Sequence, residues 1–418
     1  MSILKPCRPR ANASVTAAML TAISSAGVTA AVAHPVRSPL EASLIVDLPV
    51  AEQKLVGKRF SQIRGVSELT DGRVLVSDGL EQSLYVVDFR SGNVGTVGTI
   101  EDGPREYRYP GRLYPLGVDS VLVTDQITHR SFLVVGDSIR ETLTQVSSLL
   151  LELGGEPPWG VDRSGRVLRV QGFGYSGNRL ALSRVEADSL RILLTTGNLF
   201  SRKPGQHEKI AEVGGQGRLG GWARTQAGHS RYNTSPLSTE GQAWLFYDGW
   251  IALAHPEPYR VDWRTPEGEW VRGDPLPFDS VRVTDRQKCF AATGGRIPGA
   301  CHAGSDDWFI GTVSASFPWP DYVPPFVMAR HQRTNPGGIA VQPAPNGMVL
   351  IQRTPLAEPP GKRYDVVDRT GSLRGAIRLQ ENQTIVGIGS SVLYVATEES
   401  ATLTLSRHSW PEHLGGRQ

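Results

Sequence analysis

A repeated unit of about forty residues limits what this chain can fold into more than any other feature. In the first copy, Phe60–Gly98, β-rich runs flank the turn Thr70-Asp71-Gly72 and a second turn, Arg90-Ser91-Gly92-Asn93. Glycine supplies the positive φ that tight hairpin turns need, so the unit predicts four short antiparallel strands. One such sheet buries too little apolar surface to be stable alone, so copies of it must pack face to face.

Six copies of this unit can be traced, with turns spaced by roughly 47, 46, 76, 106 and 43 residues. The regular spacings are typical of β-propeller blades of about 40–50 residues. We therefore predict an all-β fold, a six-bladed β-propeller of four-stranded antiparallel blades, with no parallel pairing and no helix after the leader. The copies are Phe60–Gly98, Gly117–Asp137, Val161–Val185, Ser238–Gly268, Ala344–Gly371 and Ile388–Ser406.

The two ends of the repeat region are incomplete in a complementary way. Leu44–Leu48 is an isolated strand before the first copy, and the last copy ends after three strands. A ring of blades has no exposed sheet edge once its two ends share a blade. We predict that Leu44–Leu48 pairs with the strand near Thr402–Leu405 as the fourth strand of the last blade.

The first 33 residues differ from the rest in composition. A basic start with Lys5, Arg8 and Arg10 precedes an uncharged Ala/Val/Thr/Ser-rich stretch and the small-residue triplet Ala31-Val32-Ala33. This pattern predicts a secretory signal peptide over residues 1–33, a single propeller domain over residues 34–418, and a periplasmic or secreted protein. An uncleaved anchor and an organellar transit peptide are the alternatives.

The charge balance bears on the partners. Lys and Arg number 44 against 41 Asp and Glu, and the three basic residues of the leader account for the whole excess. A neutral body argues against binding to nucleic acid or to an anionic membrane surface. We expect no membrane span after signal cleavage, a monomer, and a small ligand, a glycan or a protein as partner.

A long insertion at about 272–342 interrupts the repeat. Its proline-rich run Ser316–Phe326 cannot form ladder hydrogen bonds and predicts a loop over one face, either an aromatic lid or a cover for apolar surface between two blades. Cys289 and Cys301 also lie in the insertion, and their spacing in an exported protein favours a disulfide. Two free thiols, or a zinc site that uses His302, are the alternatives.

Carboxylates end the predicted second strand of several copies: Asp78, Asp125, Asp248 and Glu398. Strand ends of this kind share one face beside the central channel, so Asp78, Asp125 and Asp248 are the candidate ligands for Ca²⁺ or another divalent cation. Alternatively, each Asp caps its own turn through its side chain.

No catalytic residue can be named from a motif. Gly215–Gly220 matches G-x-G-x-x-G, but nothing in the sequence around it predicts the strand and helix that a dinucleotide site needs. Loops on a rigid scaffold concentrate binding groups, so we expect a ligand on the face that carries the ends of the second strands. The candidate ligand-binding residues are Asp78, Arg105, Tyr107, Asp125, His129, Asp248, Trp250 and Tyr322.

Two stretches carry a resemblance to a known group. Gly103–Pro110 is similar to the G-x-G-P-G-E-F/Y-x-x-P crossing of bacterial exported six-bladed β-propellers related to NHL-repeat proteins, with Arg105 where that pattern has Gly. The run from Asp321 to Gly389 resembles the closing blades of the same group. The resemblance implies the fold and says little about activity.

Two functions of different classes follow from these features. The first is an exported binding module with no cofactor. The second is a lactonase-like or esterase-like hydrolase, with a divalent metal at the channel mouth that polarises an ester carbonyl.

Overall fold

The chain divides into two units, Met1–Arg37 and Ser38–Gln418, and all described residues lie in the second. The predicted signal peptide and its end at Ala33 therefore lie outside the described residues. The computed structural model describes residues 45–100, 106–117, 119–125, 131–143, 159–171, 174–175, 184–185, 189–195, 207–214, 222–224, 230–232, 237, 239–292, 307–310, 313–316, 319–327 and 339–415.

The first meander forms as the sequence predicts. Gly72, with φ +82°, makes the turn between its first two strands, and each strand pairs antiparallel with the next. Two short strands precede it, β1 (Ile45–Asp47) and β2 (Ala51–Lys54). Sheet A consists of β3 (Ile63–Glu68), β4 (Val74–Asp78), β5 (Ser83–Val87) and β6 (Val94–Val97).

The next two sheets follow the same antiparallel pattern. The crossing to sheet B holds β7 (Thr99–Ile100) and β8 (Glu106–Tyr107), and sheet B is β9 (Pro110–Pro115), β10 (Ser120–Asp125), β11 (Ser131–Val135) and β12 (Ser138–Leu143). Sheet C is β13 (Val167–Gln171), β16 (Ser189–Thr195) and β17 (His207–Gly214). Two-stranded pairs are β14 (Gly174–Tyr175) with β15 (Arg184–Val185), and β18 (Trp222–Arg224) with β19 (Ser230–Tyr232).

Sheet D and the insertion come next. Sheet D is β20 (Gln242–Leu245), β21 (Ile251–Pro256), β22 (Tyr259–Arg264) and β23 (Trp270–Val271). The described part of the insertion contains β24 (Val281–Arg282), paired with β27 (Tyr322–Val323), the helix α1 (Asp285–Ala292), and the hairpin β25 (Asp307–Ile310) and β26 (Val313–Ser316).

The C-terminal part builds the last two sheets. Short 3₁₀ turns lie at Pro345–Gly347 and Glu412–Leu414. Sheet E is β28 (Val341–Pro343), β29 (Val349–Gln352), β30 (Lys362–Val367) and β31 (Leu373–Leu379), and sheet F is β32 (Gln383–Ile388), β33 (Val392–Glu399) and β34 (Thr402–Ser409).

Buried apolar side chains join each sheet to the next in a closed sequence. Leu84 of sheet A and Phe132 of sheet B share one cluster. Further clusters join sheet B to C, sheets C, D and E to one another, and sheet E to F. Phe60, before sheet A, and Leu405 of sheet F share the cluster that returns to the start. This order of antiparallel meanders is the arrangement of a β-propeller.

The pairing predicted for the N-terminal strand is wrong in detail. Ile45–Asp47, inside the predicted Leu44–Leu48 strand, lies parallel to β31 at the outer edge of sheet E. The strand that completes sheet F is β2, which pairs antiparallel with β34. Leu55 follows β2 and donates its backbone N–H to Leu405 O at 3.0 Å. The chain therefore closes the ring one short strand later than predicted.

Two further expectations need correction. Parallel pairs occur between β1 and β31, between β7 and β8, and between the inner strands β3 and β32 of neighbouring sheets. Helix α1 forms in the insertion, where no helix was predicted, with Asp285 in its first turn. A carboxylate at that position interacts favourably with the helix dipole.

Candidate functional site

The upper face is defined here as the side on which the second strands end, at Asp78, Asp125, Pro256, Gln352 and Glu399. Asp78 is fully buried there. Its carboxylate accepts the N–H groups of Ser61 at 2.6 Å, Gln62 at 3.1 Å, and Leu80 and Glu81 at 3.0 Å. Burial nevertheless raises the pKa of Asp78. These bonds give Asp78 the structural, turn-capping role.

Asp125 repeats this arrangement in sheet B. It is buried, and its Oδ2 accepts the backbone N–H of Arg108 at 2.6 Å and of Tyr109 at 3.2 Å. Both aspartates therefore hold the start of the inner strand of their own sheet. Among the residues that the structure describes, no group of three or more His, Cys, Asp or Glu side chains is placed to hold a metal ion.

Asp248 lies on the opposite, lower face, contrary to the prediction. The sequence places it at the end of a second strand, but Gln242–Leu245 is the first strand of sheet D and Asp248 belongs to the turn before β21. Asp248 Oδ2 lies 2.6 Å from Arg369 Nη2, and the Arg369 guanidinium lies 4.8 Å from the Trp250 ring centroid. Asp248 and Trp250 are thus separated from the Asp78 face.

Of the remaining predicted ligand-binding residues, the structure describes Tyr107 and Tyr322. Tyr107 is completely buried, its hydroxyl accepts Leu84 N–H and donates to Val97 O, and burial raises its pKa to about 12. Tyr107 is therefore a core residue. Tyr322 is 51% exposed on β27. Arg105 and His129 lie outside the described residues.

A cluster that the sequence analysis missed lies where sheets D and E meet on the upper face. We call it the D–E arginine cluster: Tyr259, Phe278, Arg353, Arg363 and Asp365. Asp365 is fully buried. Its Oδ2 accepts bonds of 2.8 Å from both Arg353 Nη1 and Tyr259 OH, and its Oδ1 accepts one of 2.7 Å from Arg363 Nε.

The cluster carries a surplus positive charge. Two guanidinium groups share one carboxylate, while Arg353 also stacks on Tyr259 and Phe278, with its Cζ 4.9 and 4.6 Å from their ring centroids. Burial and the charge of Asp365 raise the pKa of Tyr259 well above its ordinary range, so the phenol stays neutral. The side chain of Arg363 is 29% exposed and that of Arg353 is 13% exposed. Arg363 is the charge that a ligand can reach.

The insertion packs against this cluster. Thr354 donates its N–H to Pro325 O at 2.9 Å and its hydroxyl to Pro324 O at 2.6 Å. Phe326 is fully buried, with its ring 6.1 Å from that of Tyr259. The helix α1 contacts the segment after β29 that contains Thr354, since Gln287 Nε2 donates to Pro355 O at 3.0 Å. Residues 324–326 of the proline-rich run therefore pack between sheets D and E, in agreement with the expected cover over apolar surface.

Cys289, on α1, is buried and disulfide-bonded. Cys301 lies outside the described residues, so its pairing with Cys289 stays a prediction.

A histidine–carboxylate pair lies at the upper end of sheet D. His255 Nε2 is 2.9 Å from Asp262 Oδ2, and Arg260 also bonds the Asp262 carboxylate, through Nε at 3.0 Å. Burial lowers the pKa of His255, although Asp262 opposes that shift. The imidazole is therefore neutral near pH 7 and able to take up a proton.

Comparisons with known proteins give a distant likeness only. No protein-family model matches the sequence, and no curated protein matches it. Among solved structures, regucalcin from Agrobacterium tumefaciens, a calcium-binding protein, is 13% identical, with 88% of this chain and 97% of that chain covered and a TM-score of 0.38. A streptogramin B lyase is 11% identical, with coverages of 85% and 97% and a TM-score of 0.36.

A Bacteroides fragilis protein whose name describes it as exported is 11% identical, with coverages of 88% and 99% and a TM-score of 0.42. At scores this low the likeness supports no inference about activity, and the propeller arrangement rests on the sheet order and packing above. No helix among the described residues is long and apolar enough to cross a membrane.

Proposed function

We propose that the protein is an exported binding module, a propeller of six blades that binds a carboxylate-bearing ligand at the D–E arginine cluster. The main support for this proposal is that Arg353 and Arg363 share the single carboxylate of Asp365. The surplus charge lies in a partly desolvated place, where attraction for an anion is stronger than in water. A guanidinium also matches the planar geometry of a carboxylate.

The neighbouring aromatic rings define what else the ligand would present. The half-buried ring of Phe278 lies beside Arg353, and the buried ring of Tyr259 supports the same guanidinium from the core. A ligand with a carboxylate and an apolar or ring-shaped body fits this combination, as in a peptide C-terminus or an acidic sugar. Six blades are supported by the closed packing of sheets A to F, and export by the composition of the leader.

The test compares binding of a short peptide with a free C-terminal carboxylate and of its amidated form by calorimetry. Arg363→Gln should weaken binding of the free-carboxylate peptide at least tenfold and leave the weak binding of the amidated form unchanged. Arg374→Gln is the matched control, because it removes one half-exposed arginine that pairs with Asp368 at the β30–β31 turn on the lower face. Equal binding of both peptides by the native protein would refute the proposal, provided that galacturonate also fails to bind.

The second candidate is the metal-dependent lactonase or esterase with its site at the channel mouth. The His255–Asp262 pair favours it, because a neutral imidazole beside a carboxylate on the upper face could act as a general base. Metal analysis of the purified mature protein, with lactone hydrolysis by the native protein and by His255→Gln, tests it. Hydrolysis that needs no divalent cation, or that persists in the variant, would contradict this assignment.

A further inference from the structure

Lys362 differs in its surroundings from Lys58 and Lys288, the other half-buried lysines among the described residues. It is the first residue of β30, on the upper face where sheets E and F meet, and it is half-buried. Its Nζ donates to Thr384 Oγ1 at 2.5 Å. In the described part of the chain no carboxylate lies within ion-pair distance of Lys362, whereas Lys58 pairs with Glu81 and Lys288 with Asp285.

Gln352 adds a second, independent observation at the same junction. Its side chain is almost completely buried, with a residue exposure of 4%, and its Oε1 has no hydrogen-bond partner among the described residues. A buried acceptor without a partner destabilises the folded protein, so a donor is expected to fill this place.

The strand register puts Gln352 and Lys362 on the same side of sheet E. Gln352 pairs with Tyr364, and Tyr364 lies two residues after Lys362 on β30. Side chains two residues apart on a strand share a face, and diagonal neighbours on paired strands are within reach of long side chains. Tyr364 packs in the cluster between sheets E and F and accepts Ile385 N–H from sheet F. The amine, the Thr384 hydroxyl and the free amide oxygen therefore line one junction.

We propose that Lys362 is a nucleophilic amine that forms an imine with a small aldehyde or ketone at the junction of sheets E and F. The Nζ lone pair adds to the carbonyl carbon, and a proton moves from nitrogen to oxygen to give a carbinolamine. The hydroxyl of that carbinolamine donates a hydrogen bond to Gln352 Oε1. Loss of one water then leaves the carbon–nitrogen double bond, with no oxidant or reductant consumed.

The protonation state of the amine agrees with this role. Burial lowers the pKa of Lys362 to about 8, with Glu398 and Glu381 opposing the shift. About a tenth of the amine is then unprotonated at pH 7, against less than about a thousandth for an ordinary lysine. A neutral amine is the reactive form in imine chemistry.

The experiment treats the full chain with a limiting amount of propanal and cyanoborohydride at pH 7 and maps propyl-lysine by peptide mass spectrometry. Lys362 should be modified at least tenfold faster than Lys58 and Lys288, which serve as internal controls. Lys362→Arg keeps a hydrogen-bond donor at this position. It should abolish the fast labelling at residue 362 and leave the labelling of Lys58 and Lys288 unchanged. Equal labelling of the three lysines in the native protein would overturn the proposal.

Gln352→Leu separates imine formation from simple amine reactivity. The variant should slow propanal trapping at Lys362 several-fold, while acetylation of Lys362 by an activated acetate ester stays at the native rate. If both rates fall together, or neither changes, Gln352 has no part in the addition step. Arg363→Gln should leave propanal labelling unchanged, so the outcome is independent of the carboxylate-binding proposal.

Discussion

The closure of the ring can be tested by two substitutions of the same residue type. Leu55 follows β2 and is buried, with 5% exposure, in the cluster that joins sheet F to sheet A. Leu48 follows β1 and is half-buried against the cluster between sheets E and F. If β2 and not β1 closes the ring, Leu55→Ala must destabilise the protein much more than Leu48→Ala does.

The expected magnitudes follow from burial. Truncation of a fully buried leucine to alanine costs about 2–5 kcal/mol, because the cavity adds to the lost transfer free energy. Leu55 also lies within the backbone pairing with β34, so its surroundings cannot easily collapse. We expect a loss of about 3 kcal/mol in the free energy of unfolding for Leu55→Ala. Leu48 is only partly buried, at the edge of its cluster, so its truncation should cost less, about 1 kcal/mol.

Urea unfolding followed by circular dichroism measures both losses, with the midpoint and the slope fitted for each variant. A chain that lacks residues 1–49 should unfold at a modestly lower midpoint than the native chain, because it loses β1 and Leu48, whereas removal of residues 1–55 should lower the midpoint strongly. Equal losses for the two leucine variants, or a larger loss for Leu48→Ala, would refute the assignment of β2 as the closing strand.

Three further predictions use the same unfolding assay. Asp78→Ala leaves four backbone N–H groups without their acceptor and should lower the free energy of unfolding by about 2–4 kcal/mol. Asp248→Ala breaks a half-exposed ion pair and should lower it by less than about 1 kcal/mol. Similar losses for the two variants would contradict the capping role of Asp78. Asp365→Asn leaves the guanidinium of Arg353 without a carboxylate and should cost about 2–4 kcal/mol, so an unchanged midpoint would exclude the buried pair. The pKa of Lys362 is lower in the folded state, so its charge disfavours folding below about pH 8 and this cost disappears between about pH 8 and 10.5. Lys362→Met should therefore stabilise the protein by about 1–2 kcal/mol at pH 7 and by nothing near pH 10.5, and a gain independent of pH would refute the titration of this amine.

The strands and hairpin turns of the repeat were predictable because their signals are local. Alternating β-branched residues and the turn glycines lie within a few residues of one another, as in Arg73–Ser77 and at Gly72. Packing of the meanders followed from the small apolar area that one sheet can bury. The face on which Asp78 and Asp125 lie also followed, since both end second strands.

The position of Gln242–Leu245 in the strand order of sheet D was not predictable from the residues of that sheet. Gln242–Leu245 has the composition of a second strand, and only its contacts with sheet C reveal it as the first. Leu245 donates its N–H to Trp159 O at 2.9 Å, a bond between inner strands of neighbouring sheets. That contact lies far away in sequence, so the prediction put Asp248 on the wrong face.

The order of residues along the chain by itself determined an all-β repeat preceded by a leader of distinct composition. Strand, turn and charge preferences act over short distances, so a short stretch of sequence carries each of them. The tertiary structure decided what the side chains do. Tyr259 and Asp365 stand 106 residues apart and meet only because sheets D and E are neighbours. The choice between β1 and β2 as the closing strand depends equally on which edge each one reaches, and no local preference of either short segment encodes that.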